Sequence, residues 1–184
     1  MPKKKYETLK IENIVASGAI AETIDLVDFS EKTENCDLNK KRFPGAVYHI
    51  ADPKIACLIF SSGKIVITGV RNDEALAAGI AIVTKALKNA GIEPLKKPRI
   101  AITNMVCSYN LGRYINLNKL TVTLNVENVE YEPEQFPGLV FRINEPKIVV
   151  LIFSSGKIIL TGGKTLEDVR MGLDVLEKKL ESIM

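Results

Sequence analysis

Two kinds of hydrophobic pattern alternate along this chain. Runs rich in Val, Ile and Phe, broken by turn signals at Asp52–Pro53, Glu145–Pro146 and two Ser-Ser-Gly triplets, predict short strands. Two later segments place apolar residues at helical spacing, and their stripes are Leu76, Ile80, Val83, Leu87 and Leu166, Val169, Leu173, Leu176, Leu180. The predicted order is strand, helix, several strands, helix, repeated once. This order is typical of an α+β fold with helices on one face of an antiparallel sheet.

The predicted sheet is apolar on both faces. Along one strand, Val149, Leu151 and Phe153 point one way, while Val150 and Ile152 point the other. An antiparallel sheet covered by helices on one side normally has a polar second face. The second face is therefore predicted either to pack against another sheet, in this chain or in a second copy, or to bind a partner.

The two halves of the chain are copies of one unit. The block from Phe43 to Gly69 matches the block from Phe136 to Gly162 at 18 of 27 positions. Repetition at a constant offset predicts pseudo-twofold symmetry, which suits a nearly twofold partner such as duplex DNA. We expect a first repeat over residues 1–92, a linker of irregular structure over 93–98 and a second repeat over 99–184.

Composition narrows the classes of function. The net charge is +3, which permits nucleic-acid binding without requiring it. No apolar run is long enough to cross a membrane and no signal segment is evident, so a cytoplasmic protein is expected. One histidine and no repeated nucleophile with a base predict no metal, no cofactor and no catalysis. The cysteines Cys36, Cys57 and Cys107 are predicted to be reduced core thiols.

Four phenylalanines form repeat-equivalent pairs beside turns. Phe43 and Phe136 precede Pro-Gly, and Phe60 and Phe153 precede Ser-Ser-Gly. Aromatic residues at such turns are suited to act as wedges that enter a base stack. Two other interpretations remain open, which are simple core filling and a surface on which single-stranded nucleic acid stacks. A third hypothesis is a structural homodimer that buries the second sheet face.

Several short motifs resemble those of the TATA-box-binding protein family over essentially the whole chain. These are NIV and NMV, FPG twice, LIFSSGK twice and TG at the end of each block. The resemblance is to the short archaeal type. It implies two pseudo-symmetric repeats sharing one curved antiparallel sheet, a saddle with helices on the convex face. It also implies a general transcription initiation factor that kinks the minor groove of an A·T-rich promoter box.

The resemblance assigns roles to individual residues. Phe43 with Phe60 and Phe136 with Phe153 would be the two wedge pairs. Base edges would be contacted by Asn13, Asn104, Thr68 and Thr161, and the apolar surface would comprise Val15, Val106, Val66, Ile159, Leu58 and Leu151. Amide donors match the adenine N3 and thymine O2 acceptors, whereas the guanine amino group would intrude.

Phosphate contacts are implied at the rim of this surface. The expected residues are Arg42, Lys64, Arg71, Arg142, Lys157, Lys164, Ser62 and Ser155. Two positions depart from the pattern. His49 stands where the second repeat has Arg142, which predicts either a weaker and pH-sensitive phosphate contact or a merely exposed histidine. Gln135 replaces the basic Arg42, which puts a phosphate contact there in doubt.

The segments before the two FPG motifs differ in charge. The first repeat reads NKKRF and the second reads EPEQF. By resemblance, Glu132, Glu134 and Gln135 would receive transcription factor B, and RNA polymerase would be recruited indirectly. An alternative is that these glutamates only keep a sheet edge soluble. The Lys3–Lys5 run and homodimer formation by the free protein are left open.

Overall fold

The element order predicted from the sequence is confirmed in both halves of the chain. The computed structural model describes residues 5–124 and 126–183. The first half contains β1 (Lys10–Ala21), α1 (Leu26–Lys32), β2 (Cys36–Leu38), β3 (Ala46–Ile50), β4 (Ile55–Ile59), β5 (Lys64–Val70) and α2 (Asp73–Asn89). The second half contains β6 (Pro94–Asn110), α3 (Leu117–Thr123), a 3-10 turn (Val126–Asn128), β7 (Val129–Glu130), β8 (Leu139–Ile143), β9 (Ile148–Ile152), β10 (Lys157–Gly163) and α4 (Leu166–Glu181).

Local sequence accounts for where the two long helices begin and what they bury. The side chain of Asn72 accepts a hydrogen bond from the backbone N–H of Ala75, and Thr165 caps α4 in the same way. On α4 the predicted stripe is buried from Val169 to Leu180. On α2 only Val83 and Leu87 of the predicted stripe are buried, together with Gly79.

The described residues form one antiparallel sheet of ten strands. Their hydrogen-bonded order is β2-β3-β4-β5-β1-β6-β10-β9-β8-β7. Each repeat therefore contributes a four-stranded set in sequence order, and its first strand lies beside the last strand of that set. This topology confirms the α+β class and the shared antiparallel sheet that the sequence predicts.

The chain folds into two compact units whose boundaries lie inside strands. The first-repeat unit comprises Asn13–Thr103, and the second-repeat unit combines the chain before Asn13 with the chain from Asn104 onward. Within the second-repeat unit, Thr8 accepts the backbone N–H of Asn110 at 3.0 Å. The boundaries fall within β1 and β6 because each of these long strands contributes to both units.

The predicted linker is wrong for most of its length. The sequence predicts irregular structure over 93–98 because of its prolines, but β6 begins at Pro94 and continues through Pro98. A proline has no N–H donor and a φ restricted to extended or turn values, so it is tolerated at the start of a strand or where its nitrogen need not bond to a neighbour. The irregular connection after α2 is limited to residues 90–93.

The two faces of each half of the sheet differ in burial. In β9, Ile148, Val150 and Ile152 are almost completely buried, and α4 packs on this strand and on β10. The alternate residues Val149 and Leu151 are only half-buried. β4 shows the same alternation. Each unit therefore has a helix-covered face and a second apolar face that retains solvent exposure, as the strand pattern predicts.

The thiols are protonated and largely inside the protein. Burial raises the pKa of Cys57 to about 12 and is the main reason why the pKa of Cys36 and of Cys107 rises to about 11. Cys57 and Cys107 are core residues as predicted, whereas Cys36 is only half-buried. All three are free thiols. They are therefore weak nucleophiles at neutral pH.

Of the N-terminal lysine run, Lys3 and Lys4 lie outside the described residues. The ammonium of Lys5 lies 3.1 Å from a carboxylate oxygen of Asp174. Among the described residues, no helix is both long and apolar enough to cross a membrane.

Candidate nucleic-acid interface

The second sheet face carries the same side-chain rows in both units. In the second-repeat unit, strand register places Val140, Leu151, Ile159 and Ser108 in one row across β8, β9, β10 and β6. The first-repeat unit repeats this row with Val47, Leu58, Val66 and Ser17. The apolar members are half-buried in both rows. Four of the six strip residues predicted from the resemblance therefore lie on one face of each unit, together with Val47 and Val140. The other two, Val15 and Val106, are half-buried and alternate along β1 and β6 with the buried Ala16 and Cys107.

Val47 and Val140 were missed by the sequence prediction. Both are half-buried and stand opposite a predicted strip residue, Leu58 or Leu151. A signal was available, because the same valine occupies the second position after FPG in both repeats.

The phenylalanines of each repeat form an edge-to-face pair. The ring centroids of Phe43 and Phe60 are 5.5 Å apart at an interplanar angle of 63°. The rings of Phe136 and Phe153 are 5.8 Å apart at 70°. Such pairs are stabilised beyond their burial by the aromatic quadrupole. Phe136 is 41% exposed, and the other three rings are half-buried, so each pair retains solvent exposure.

The glycine of each FPG motif makes room for its aromatic pair. A Cβ at Gly138 would lie 2.8 Å from a ring carbon of Phe136 and 3.0 Å from one of Phe153. A Cβ at Gly45 would lie 2.9 Å from Phe43 and also 2.7 Å from the carbonyl oxygen of Ile59. Since real Cβ atoms do not approach this closely, the motif needs glycine at its third position. The sequence shows this glycine in both repeats without revealing its steric reason.

An asparagine in each unit is held by a glycine bulge. The N–H of Gly69 donates to Oδ1 of Asn13, and the N–H of Gly162 donates to Oδ1 of Asn104, both at 2.7 Å. Each glycine has a positive φ, +94° and +103°, at a register shift in the ladder. The bulge therefore supplies a backbone donor that fixes the orientation of the asparagine amide.

The fixed amide leaves a donor for an external partner. The Nδ2 groups of Asn13 and Asn104 donate to the hydroxyls of Thr68 and Thr161 at 3.2 and 3.3 Å. An amide nitrogen carries two hydrogens, so one remains on each asparagine after this bond. Asn13 with Thr68, and Asn104 with Thr161, thus form hydrogen-bonded pairs. Their geometry suits recognition of an acceptor rather than a donor.

Two of the predicted phosphate-contact residues, Lys64 and Lys157, lie in the same turns as a phenylalanine of each aromatic pair. The Phe60 and Phe153 turns are closed by N–H bonds to the carbonyls of Lys64 and Lys157. These lysines share a tight turn with the phenylalanines and are exposed. The remaining predicted phosphate-contact residues are also exposed, and they are Arg42, Arg71, Arg142, Lys164, Ser62 and Ser155.

The two departures in the basic pattern have different surroundings. Arg142 lies 3.8 Å from a carboxylate oxygen of Glu130, and His49 is exposed at the equivalent position in β3.

The turns before the two FPG motifs share one hydrogen-bond pattern, because the backbone N–H groups of Phe43 and Phe136 donate to the carbonyls of Asn39 and Glu132. Within that shared backbone, Glu132, Glu134 and Gln135 are exposed, so the difference between the turns is one of charge.

Comparison with known proteins identifies the family to which this chain belongs. Residues 8–90 and 99–183 match the sequence model described as transcription factor TFIID (or TATA-binding protein, TBP). The chain belongs to the TATA-box-binding protein family. TATA-box-binding protein 2 of Methanosarcina mazei is 48% identical over 176 residues, covering 96% of each chain. The TATA-box-binding protein of Archaeoglobus fulgidus is 43% identical over 175 residues, covering 95% of this chain and 96% of the relative.

A solved structure shows the same fold. The chain is similar to Methanococcus jannaschii TBP, with a TM-score of 0.86 and 43% identity over 95% of this chain and 98% of the other. The family resemblance and the fold class predicted from the sequence are thereby confirmed. The family consists of DNA-binding transcription factors, so the prediction that this chain is not an enzyme is also confirmed.

Proposed function

We propose that this protein is a general transcription initiation factor that binds the minor groove of an A·T-rich promoter box and kinks it. One observation carries the proposal. Each unit presents, on one half-buried apolar sheet face, an asparagine held by a glycine bulge and a preformed phenylalanine pair. The two units carry the same groups, which suits a partner whose own features are repeated, such as the minor groove of duplex DNA.

The asparagines provide the A·T preference. Since Oδ1 of each amide is occupied by a glycine N–H, Asn13 and Asn104 offer donors. In the minor groove, A·T pairs present only acceptors, whereas G·C pairs add the guanine amino donor. A guanine at these positions would place one donor against another.

The phenylalanine pairs provide the kinks. Insertion of apolar side chains between base steps unstacks them at a cost of a few kcal/mol, offset by the larger contact that bent DNA makes. Phe136 is already exposed, and each ring is supported by its partner. The apolar row of each unit then contacts the opened groove through van der Waals interactions, which favours a dry interface.

Cationic side chains beside the phenylalanine pairs provide affinity for DNA that does not depend on the base sequence. Lys64 and Lys157 share their turns with Phe60 and Phe153, so a phosphate close to an opened step meets an ammonium group. Each phosphate neutralised adds about 0.9 to the slope of log affinity against log salt.

The acidic turn of the second repeat is proposed to receive transcription factor B, through which RNA polymerase is recruited. Glu132 and Glu134 are exposed beside Phe136, and the equivalent turn of the first repeat reads Asn-Lys-Lys-Arg. This difference would give a near-symmetric protein one direction on the promoter. Reversing the charges in Glu132→Lys with Glu134→Lys should weaken recruitment of the second factor and leave DNA binding unchanged or stronger. If the variant recruits the second factor as well as the unaltered chain does, these glutamates do not bind it.

The experiment that tests the proposed function compares three nucleic acids at two salt concentrations. Gel shift and fluorescence transfer between end labels would measure binding and bending of an A·T-rich duplex, a G·C-rich duplex and a single strand. Selective binding with a large bend on the A·T duplex is expected. Equal or tighter binding to the single strand would instead make the phenylalanines a stacking surface. Light scattering without DNA tests the alternative of a homodimer that buries the second sheet face.

A further inference from the structure

One polar position beside the second sheet face differs in charge between the two units. Glu12 of β1 belongs to the second-repeat unit, and Thr103 of β6 belongs to the first-repeat unit. They are repeat equivalents, because they come directly before Asn13 and Asn104 in the two matching motifs. Both side chains are exposed. The proposed function assigns a role to each asparagine and none to the residue before it.

A hydrogen bond brings the carboxylate of Glu12 to the second sheet face. Its Oε1 accepts from the hydroxyl of Ser108 at 2.8 Å. Ser108 lies opposite Ile159 in the row that crosses the second-repeat unit on that face. Strand alternation alone groups Glu12 with the buried Ile14, so the position of this carboxylate could not be predicted from the sequence.

The first-repeat unit has a different group at the equivalent place. The hydroxyl of Thr103 donates to the backbone carbonyl of Val15 at 3.2 Å, so its hydrogen is used within the protein. The repeat equivalent of Ser108 is Ser17, which stands opposite Val66. Both rows thus end in a serine, and the units differ in having a glutamate or a threonine beside it.

A carboxylate at this face is suited to a hydrogen-bond donor. An ionised carboxylate is an acceptor with about four lone-pair sites, and the bond from Ser108 occupies one of them. In the minor groove, A·T pairs offer acceptors, whereas the amino group of guanine is the only donor on a base edge. Glu12 would therefore oppose an acceptor at an A·T pair and a donor at a G·C pair. This preference is opposite to the one proposed for the asparagines.

We propose that Glu12, positioned by Ser108, accepts a hydrogen bond from the amino group of a guanine at one position of the box, in the half that meets the second-repeat unit. This role rests on the proposed function, because it requires the second sheet face to lie in the minor groove. The chain would then tolerate one G·C pair in an otherwise A·T-rich box. Since Thr103 gives no such tolerance in the other half, a single guanine would fix the direction in which the chain binds.

The test measures the affinity of the full chain for a series of duplexes by fluorescence anisotropy. The parent duplex has a self-complementary box of A·T pairs, which the chain can bind in either direction. One set of duplexes carries a single G·C pair at each successive position of the box. A second set carries two G·C pairs at positions related by the twofold axis of the box.

Four variants separate the role of the carboxylate from general effects of charge. Glu12→Thr copies the other unit, and Thr103→Glu transfers the carboxylate to the side of Ser17. Ser108→Ala keeps Glu12 and removes its hydrogen bond. Glu31→Thr, at an exposed position of α1, is the matched control for the loss of one negative charge. Circular dichroism verifies the fold of each variant.

For the unaltered chain, a single G·C pair should weaken binding by about tenfold at most positions and by less than about threefold at one position and its symmetry mate. Two G·C pairs at those positions should cost about tenfold, because only one can meet Glu12. Glu12→Thr should remove the tolerance and bind the parent duplex more tightly. Ser108→Ala should reduce the tolerance, and Thr103→Glu should extend it to the doubly substituted duplex. Glu31→Thr should match the unaltered chain.

Three results would overturn the role of Glu12 and leave the proposed function intact. These are an A·T preference at every position of the box in the unaltered chain, the same tolerance in Glu12→Thr, and a gain in affinity by Glu12→Thr that is equal for all duplexes. The last result would mean that the carboxylate only repels phosphate. Failure of the unaltered chain to prefer the parent duplex over a G·C-rich one would instead contradict the proposed function itself, and this role with it.

Discussion

The two units are most alike on the second sheet face and least alike away from it. On that face, both have a phenylalanine pair over a glycine, an asparagine on a glycine bulge and one apolar row. Elsewhere they diverge, as Arg42 against Gln135 and Tyr6 against Lys97 illustrate. Both units can therefore offer these same contacts through this face, whereas the contacts that they can offer elsewhere differ.

The largest effect is expected from changing the asparagine donors to acceptors. In Asn13→Asp and Asn104→Asp, the carboxylate can still accept the glycine N–H that holds the native amide, so the fold is retained. The lost donor and the added negative charge then face base acceptors, and A·T duplex binding should fall by about 100-fold in either variant. Fluorescence anisotropy on the A·T duplex measures this. Asn118→Asp, on an exposed position of α3, makes the same charge change and should bind normally. A large loss in only one of the two variants would break the equivalence of the units.

The two FPG glycines should respond unequally. An added Cβ at Gly45 meets the backbone oxygen of Ile59, while at Gly138 it meets only phenylalanine side chains. Side chains can move aside more readily than a strand backbone. We therefore expect Gly45→Ala to cost about 3 kcal/mol of unfolding free energy and Gly138→Ala about 1 kcal/mol. Urea denaturation monitored by circular dichroism measures both, and equal costs would show that the backbone contact is relieved without strain.

The His49 and Arg142 positions should be interchangeable in their effect on phosphate binding. Arg142→His should reduce the slope of log affinity against log salt by up to about 0.9, and His49→Arg should increase it by a similar amount. Titrations of the A·T duplex across a salt series give these slopes. Unchanged slopes in both variants would mean that neither position contacts phosphate.

The smallest effect concerns stability at high pH. Burial, followed by the hydrogen bond to Glu177, raises the pKa of Tyr109 to about 12. A raised pKa means that the folded state favours the neutral phenol. The resulting contribution to the free energy of unfolding is complete below the unfolded pKa near 10 and is lost as pH rises towards 12. Tyr109→Phe should therefore show a smaller loss of stability between pH 10 and pH 12. Thermal melts across this range measure it. A loss equal to that of the unaltered chain would show that Tyr109 does not contribute.

The repeat and the alternation of apolar residues were sufficient to predict the element order, the antiparallel sheet and the second apolar face. They could not predict that Pro94 begins a strand, because a proline is compatible with a strand wherever its missing N–H is not needed. Nor could they predict the Tyr6–Asp174 bond, which joins residues 168 positions apart. The candidate site residues were proposed from the motifs, whereas the glycine N–H bonds that orient Asn13 and Asn104 could be seen only in the folded chain.

The measurement that tests the central claim most directly is DNA bending by a chain that lacks one aromatic pair. Fluorescence transfer across an A·T-rich duplex would be compared for the unaltered chain, for Phe136→Ala with Phe153→Ala, and for Tyr114→Ala, which removes an aromatic ring that is 73% exposed. With the fold of each variant verified by circular dichroism, the account predicts that the double variant loses the bend and that Tyr114→Ala retains it. Full bending by the double variant would contradict the assignment of the phenylalanine pairs as wedges.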